Sequence, residues 1–168
     1  MLTKRDHIIK WCAYAAAIAL LLGLNTLTLR QIPIWGVRAF LPPIIVGIVA
    51  SLEEPRSAVV FGLVFGLLCD LTVSAPLPCL YTLSFAFSSL LCCVLARSVL
   101  QPGFFCSLAV SGLSFVSVDL LTILTLSLRH HASLLPMLYL ATREMAVSAL
   151  LLPLCSVTLR YVHRRVTI

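Results

Sequence analysis

Five ionisable residues, Arg38, Asp70, Asp119, Arg143 and Glu144, stand inside otherwise apolar stretches of this chain. An ionisable group in a membrane helix costs at least a few kcal/mol and turns to a partner or a cavity. Two carboxylates at close quarters can share a proton and activate water, as in aspartyl proteolysis. The same groups can instead pair with cations and hold helices together. Asp70 belongs to the most informative stretch, Phe61 to Thr72, which reads FGLVFGLLCDLT. Gly62, Gly66 and Asp70 are spaced i, i+4, i+8 and so stack on one helical face. The glycines open a groove for close backbone approach, the usual packing device where lipid surrounds helices. Asp70 at its end is either a dedicated functional carboxylate or structural glue. Ala15, Ala19 and Gly23 repeat the small-residue spacing and make a second packing or partner-binding stripe.

The protease chemistry lacks its surroundings. Lipoprotein signal peptidase has two intramembrane aspartates, but its motifs set asparagines near the acids and an arginine after one of them. Here Asn25 is the sole asparagine, and Asp70 and Asp119 are each followed by leucine. Arg143 and Glu144 are adjacent, project about 100° apart on a helix and cannot face each other. No G-x-S-x-G, H-E-x-x-H or phosphate-binding glycine loop occurs. The seven cysteines form no C-x-x-C and lie in apolar runs, where cysteine behaves as a small hydrophobe. His7 and His163 fall near the termini, and His130 and His131 in a loop. The expectation is a chain that is not an enzyme, with no metal site and no cofactor.

The elements that position these residues follow from composition. Of the 168 residues, 61% are hydrophobic and 11% charged, whereas soluble domains are roughly 25% charged. The chain is therefore expected to be a single all-α integral membrane domain. Its net charge of +6 comes from dispersed cations near the ends of apolar runs, which reads as topology and not as nucleic-acid binding. Six transmembrane helices are expected, over about 11–29, 39–52, 57–74, 79–96, 104–128 and 135–159. Trp11–Leu29 spans a bilayer core in length and reads as a retained first helix without a signal-peptide cleavage site. Pro42 and Pro43 are best tolerated in a first turn, so the second helix begins close to Pro42 or is distorted there. The loops Arg30–Gly36, Glu53–Arg56, Ser74–Pro78 and Arg97–Gly103 are short polar or proline-bearing turns.

Six helices put both termini on one side. That side holds Lys4, Arg5, Lys10, Arg56, Arg97, Arg160, Arg164 and Arg165, against Arg30, Arg38, Arg129 and Arg143 opposite. The bias orients both termini to the cytoplasm. Asp70, Asp119, Arg143 and Arg38 then lie roughly 20–24 Å from the cytoplasmic surface at 1.5 Å per residue. They form a buried polar cluster in the outer half, with Glu144 beside it, or they mark where the helices leave the hydrocarbon.

At Gly62-x-x-x-Gly66-Leu67-x-x-Asp70-Leu71 the sequence resembles the rod shape-determining protein MreD family. The resemblance covers length, helix number and the position of this helix, which is followed by a hydrophobic hairpin. Where that family continues into a glycine-leucine-glycine turn, this chain has Pro76-Leu77-Pro78. The resemblance implies a non-enzymatic scaffold of the bacterial cell-elongation machinery in the inner membrane. Its partners would be membrane lipids and MreC, and through MreC the actin-like MreB, RodA and a class B penicillin-binding protein, in sidewall peptidoglycan synthesis. It also implies a fold similar to the S components of energy-coupling transporters. The alternative is thus a substrate-binding, S-component-like subunit of a vitamin or small-molecule transporter, with Trp35 and Tyr81 as the main outward aromatics.

Overall fold

The computed structural model describes residues 4–24, 39–72, 78–98, 104–130 and 134–167. Arg38, Trp35 and the end of the expected first helix, 25–29, lie outside the described residues. These residues form seven helices and no strand: α1 (Lys4–Leu24), α2 (Pro42–Leu52), α3 (Pro55–Thr72), α4 (Leu80–Ser98), α5 (Phe104–His130), α6 (Leu134–Ala149) and α7 (Leu152–Thr167). Among them α3, α4 and α5 are long and apolar enough to cross a membrane. The α6–α7 pair makes a fourth span if counted together across its 53° bend.

The bend is a difference from the single helix expected over 135–159, and Pro153 explains it. Proline has no N–H to give the carbonyl four residues back, and its ring clashes there. The chain tightens instead: Leu150 N donates to Val147 O at 3.3 Å and Leu151 N to Ser148 O at 3.0 Å. An α-helical bond resumes from Cys155 N to Leu151 O.

The hub is the shortest helix. α2 has 11 residues, and every one from Pro42 to Ala50 is buried. A helix apolar on all sides is stable only when surrounded, and α3, α4, α5 and α7 all pack on it. At about 1.5 Å per residue it is some 16 Å long, half a bilayer core. Pro42 and Pro43 occupy its first turn, where their missing N–H groups would have been unsatisfied anyway.

The α3–α4 hairpin is the tightest contact. A Cβ added at Gly62 would stand 2.6 Å from Phe85 O, and one at Gly66 2.6 Å from Thr82 Cα. Ser84, Ser88 and Ser89 of α4 are fully buried: Ser89 stands against Gly62 of α3, and Ser88 turns to buried Ser114 of α5. Ser114 Oγ meets Ser88 Oγ at 3.5 Å. Small side chains let these backbones approach without a hydrophobic drive. The outer faces are apolar and exposed, with Leu63, Val64, Leu67, Leu68 and Leu71 on α3, as lipid contact requires.

Candidate functional site

Two polar clusters lie at opposite ends of α3. Its 18 residues separate them by about 27 Å.

At the first end, Glu53 closes α2, and its N–H reaches Val49 O. Its carboxylate is 6% exposed and has Lys10 Nζ of α1 at 2.7 Å from Oε2. His163 Nδ1 of α7 lies 3.4 Å from Oε1. The same Nδ1 is 2.8 Å from the hydroxyl of Tyr14, itself 1% exposed. The Glu53 carbonyl accepts from Arg97 Nη2 at 3.2 Å and from Cys93 Sγ at 3.7 Å. One buried residue thus ties together α1, α2, α4 and α7. The arrangement gives the carbonyl at a buried helix C-terminus its donors and sets a lysine ammonium against a buried carboxylate.

At the second end, Asp70 spends both carboxylate oxygens on the N-terminus of α4. Oδ1 accepts from Tyr81 N at 3.0 Å, and Oδ2 from Thr82 N at 2.9 Å and Thr82 Oγ1 at 2.6 Å. The acid caps a neighbouring helix, where backbone donors lack partners and the helix dipole favours an anion. Gly62, Gly66 and Asp70 therefore work as a unit on one face, with α4 filling the groove the glycines open. With that groove occupied by α4, Gly62 and Gly66 serve helix packing within the chain, one of the two uses expected of them. The other stripe differs. Ala15 and Ala19 are exposed, Gly23 is half-buried, and a Cβ at Gly23 would meet nothing within 4 Å. α1 turns Tyr14, Ile18 and Leu21 inward instead.

Of the expected polar cluster, Asp70 is bound to the backbone N–H of Tyr81 and to Thr82, while Asp119 and Glu144 stand on α5 and α6. Arg143 sits with its guanidinium 5.3 Å from the Tyr139 ring centroid, within cation–π range. Asp119 lines a shallow α5–α6 cleft of about 150 Å³ with Leu138 and Thr142.

A ladder of rings joins the two ends. Trp11, Phe61, Phe65, Phe85, Tyr81 and Phe40 follow one another at centroid spacings of 6.2, 5.4, 6.0, 5.8 and 5.8 Å, the range of favourable aromatic pairs.

Sequence reasoning missed the Glu53 cluster. It reads Glu53–Arg56 as a polar turn, Lys10 as a topology charge and His163 as a tail residue. The available signal was position: Glu53 follows an apolar run directly, and Lys10 directly precedes Trp11. The described residues include no group of three metal-ligating side chains, and the seven cysteines are free thiols. Compared with known protein families, curated proteins and solved structures, the chain matched none.

Proposed function

We propose that this chain is a non-enzymatic, six-span scaffold of the bacterial cell-elongation machinery, of the MreD type, with both termini cytoplasmic. The observation that carries the reading is the division of labour between its two small-residue stripes. Gly62, Gly66 and Asp70 of the MreD-like helix are consumed in locking α3 to α4. Ala15 and Ala19 face outward on α1. In lipid, association rests on close backbone approach and polar contacts, so α1 is the face we assign to the membrane anchor of MreC. MreB, RodA and a class B penicillin-binding protein would be reached through that contact. The short apolar helices α1 and α2 complete six spans in this reading, with α6 and α7 as one broken span and a bundle similar to the S components.

The test is the double substitution Ala15→Phe with Ala19→Phe in cells that depend on this chain for rod shape. Rounded cells with unchanged protein in the membrane, and loss of cross-linking between α1 and MreC, are expected. Normal rods would remove α1 as the working face. Tight binding of a vitamin-like ligand by the purified protein would replace the scaffold with the transporter subunit.

A further inference from the structure

We propose that Tyr139 with Arg143, and Tyr161 with Arg165, are two headgroup-binding pairs that pin the bent α6–α7 helix at opposite faces of the bilayer, each taking a phospholipid phosphate beside its tyrosine. The inference rests on the reading of α6 and α7 as one broken span.

The two pairs share one design. Of the four tyrosines, Tyr14 is buried and Tyr81 half-buried, whereas Tyr139 and Tyr161 are 64% and 58% exposed. Each of these two is followed one turn later by an arginine on the same helical face. Arg143 Cζ lies 5.3 Å from the Tyr139 ring centroid, and Arg165 Cζ lies 5.4 Å from that of Tyr161, within cation–π range. Arg165 Nε also donates to the Tyr161 hydroxyl at 3.1 Å, which fixes the guanidinium beside the ring. An amphipathic ring and a long-stemmed cation are the side chains that settle where hydrocarbon meets headgroups.

Length puts the pairs at opposite faces. Leu150, at the bend, is eleven residues from each tyrosine and 71% exposed. Two eleven-residue limbs at about 1.5 Å per residue, turned by 53°, hold the tyrosines about 30 Å apart, the thickness of a hydrocarbon core. Limbs that doubled back would bring the tyrosines together. Every exposed side chain between them is apolar except Thr142, whose hydroxyl donates to Tyr139 O at 2.9 Å. The exposed surface of the stretch thus suits hydrocarbon, and its two ends do not.

Chemistry selects the occupant. A cation beside each ring calls for an anion, and phosphate is the anion that a phospholipid bilayer presents at both faces. A guanidinium can take it in two parallel hydrogen bonds. Arg143 stands one turn nearer the bend than Tyr139. Helical side chains lean toward the N-terminus, which carries its guanidinium back to the ring and outward.

The test is tryptophan fluorescence of the full chain, with Trp11 and Trp35 replaced by phenylalanine. The protein is held in phosphatidylcholine vesicles brominated either next to the glycerol or near the chain ends. Tryptophan keeps the interfacial preference of tyrosine, so Tyr139→Trp and Tyr161→Trp should be quenched more by the shallow bromines. Leu150→Trp should be quenched more by the deep ones. Adding Arg143→Gln or Arg165→Gln should move the neighbouring probe inward, read as a fall in its shallow-to-deep quenching ratio. An unchanged ratio in either arginine variant would overturn the proposal. So would a probe at 139 or 161 that neither lipid quenches, since a second copy of the chain would then cover it. Cysteine labelling at His130 and Arg164 reports separately whether the helix pair crosses. Opposite sides with deep quenching at 139 or 161 would sink the anchors and leave the span standing. One side for both labels would remove the span itself and the anchors with it.

Discussion

Lys10 Nζ lies 2.7 Å from Glu53 Oε2, and the two side chains are only 9% and 5% exposed. Removing one partner strands a buried charge, which costs roughly 3–5 kcal/mol, whereas replacing both with apolar groups of similar volume is near neutral. Lys10→Met or Glu53→Met alone should therefore destabilise far more than the double variant. Thermal unfolding in detergent across the double-mutant cycle measures this. Additive losses would show that the two groups do not stabilise each other.

The glycines divide by surroundings, and alanine substitutions should divide with them. Gly62→Ala and Gly66→Ala drive a methyl group into α4 backbone and should cost about 1–3 kcal/mol, as overpacking does. Gly23→Ala adds the same methyl group to open space and should be neutral or stabilise by up to about 1 kcal/mol through helix propensity. Equal effects at all three positions in unfolding experiments would refute the α3–α4 lock.

Asp70 acts as a cap borrowed from the preceding helix, so its loss should resemble loss of a cap. Asp70→Ala should cost about 1–2 kcal/mol, and Asp70→Asn less, since the amide keeps one acceptor. Thr82→Val removes one of the three donors. Its effect should vanish in the Asp70→Ala background, because the hydroxyl then has no carboxylate to meet. A Thr82 effect of the same size in both backgrounds would break the assignment.

What the sequence makes legible is spacing within a helix, and what it hides is pairing between helices. The i, i+4, i+8 run of Gly62, Gly66 and Asp70 announces a close contact, because those residue types on one face have few other uses. It does not say which helix fills the groove, nor that Asp70 meets backbone N–H groups of α4 before any arginine. Hydropathy outlines the apolar runs. It does not tell that α2 is buried on all sides, because an enclosed helix and a lipid-facing one are equally apolar. Pro153 was available as the signal for the α6–α7 break, since an internal proline removes a helical bond wherever it falls. The Glu53 cluster draws on residues as far apart as Tyr14 and His163, 149 positions in sequence. No local pattern encodes such a contact.

The proposed orientation makes a prediction that labelling can decide. Lys10, Arg97 and His163 gather at Glu53, and Arg56, Arg160, Arg164 and Arg165 belong to the same ends of their helices. Asp70 lies at the other end, on the N-terminus of α4. Cations concentrate on the cytoplasmic side of short-looped membrane proteins, so the Glu53 end should face the cytoplasm. Cys69, Cys92, Cys93, Cys106 and Cys155 are buried, and Cys12 and Cys79 are exposed. Replacing those two with serine should leave a background silent to impermeant maleimide in intact cells. Single cysteines at Glu54 and Arg164 should stay unlabelled until the membrane is permeabilised, and one at His130 should label at once. Labelling of Glu54 and Arg164 from outside would invert the orientation. Labelling of Arg164 and His130 together would mean that α6 and α7 re-enter the membrane on one side instead of crossing it as a broken span.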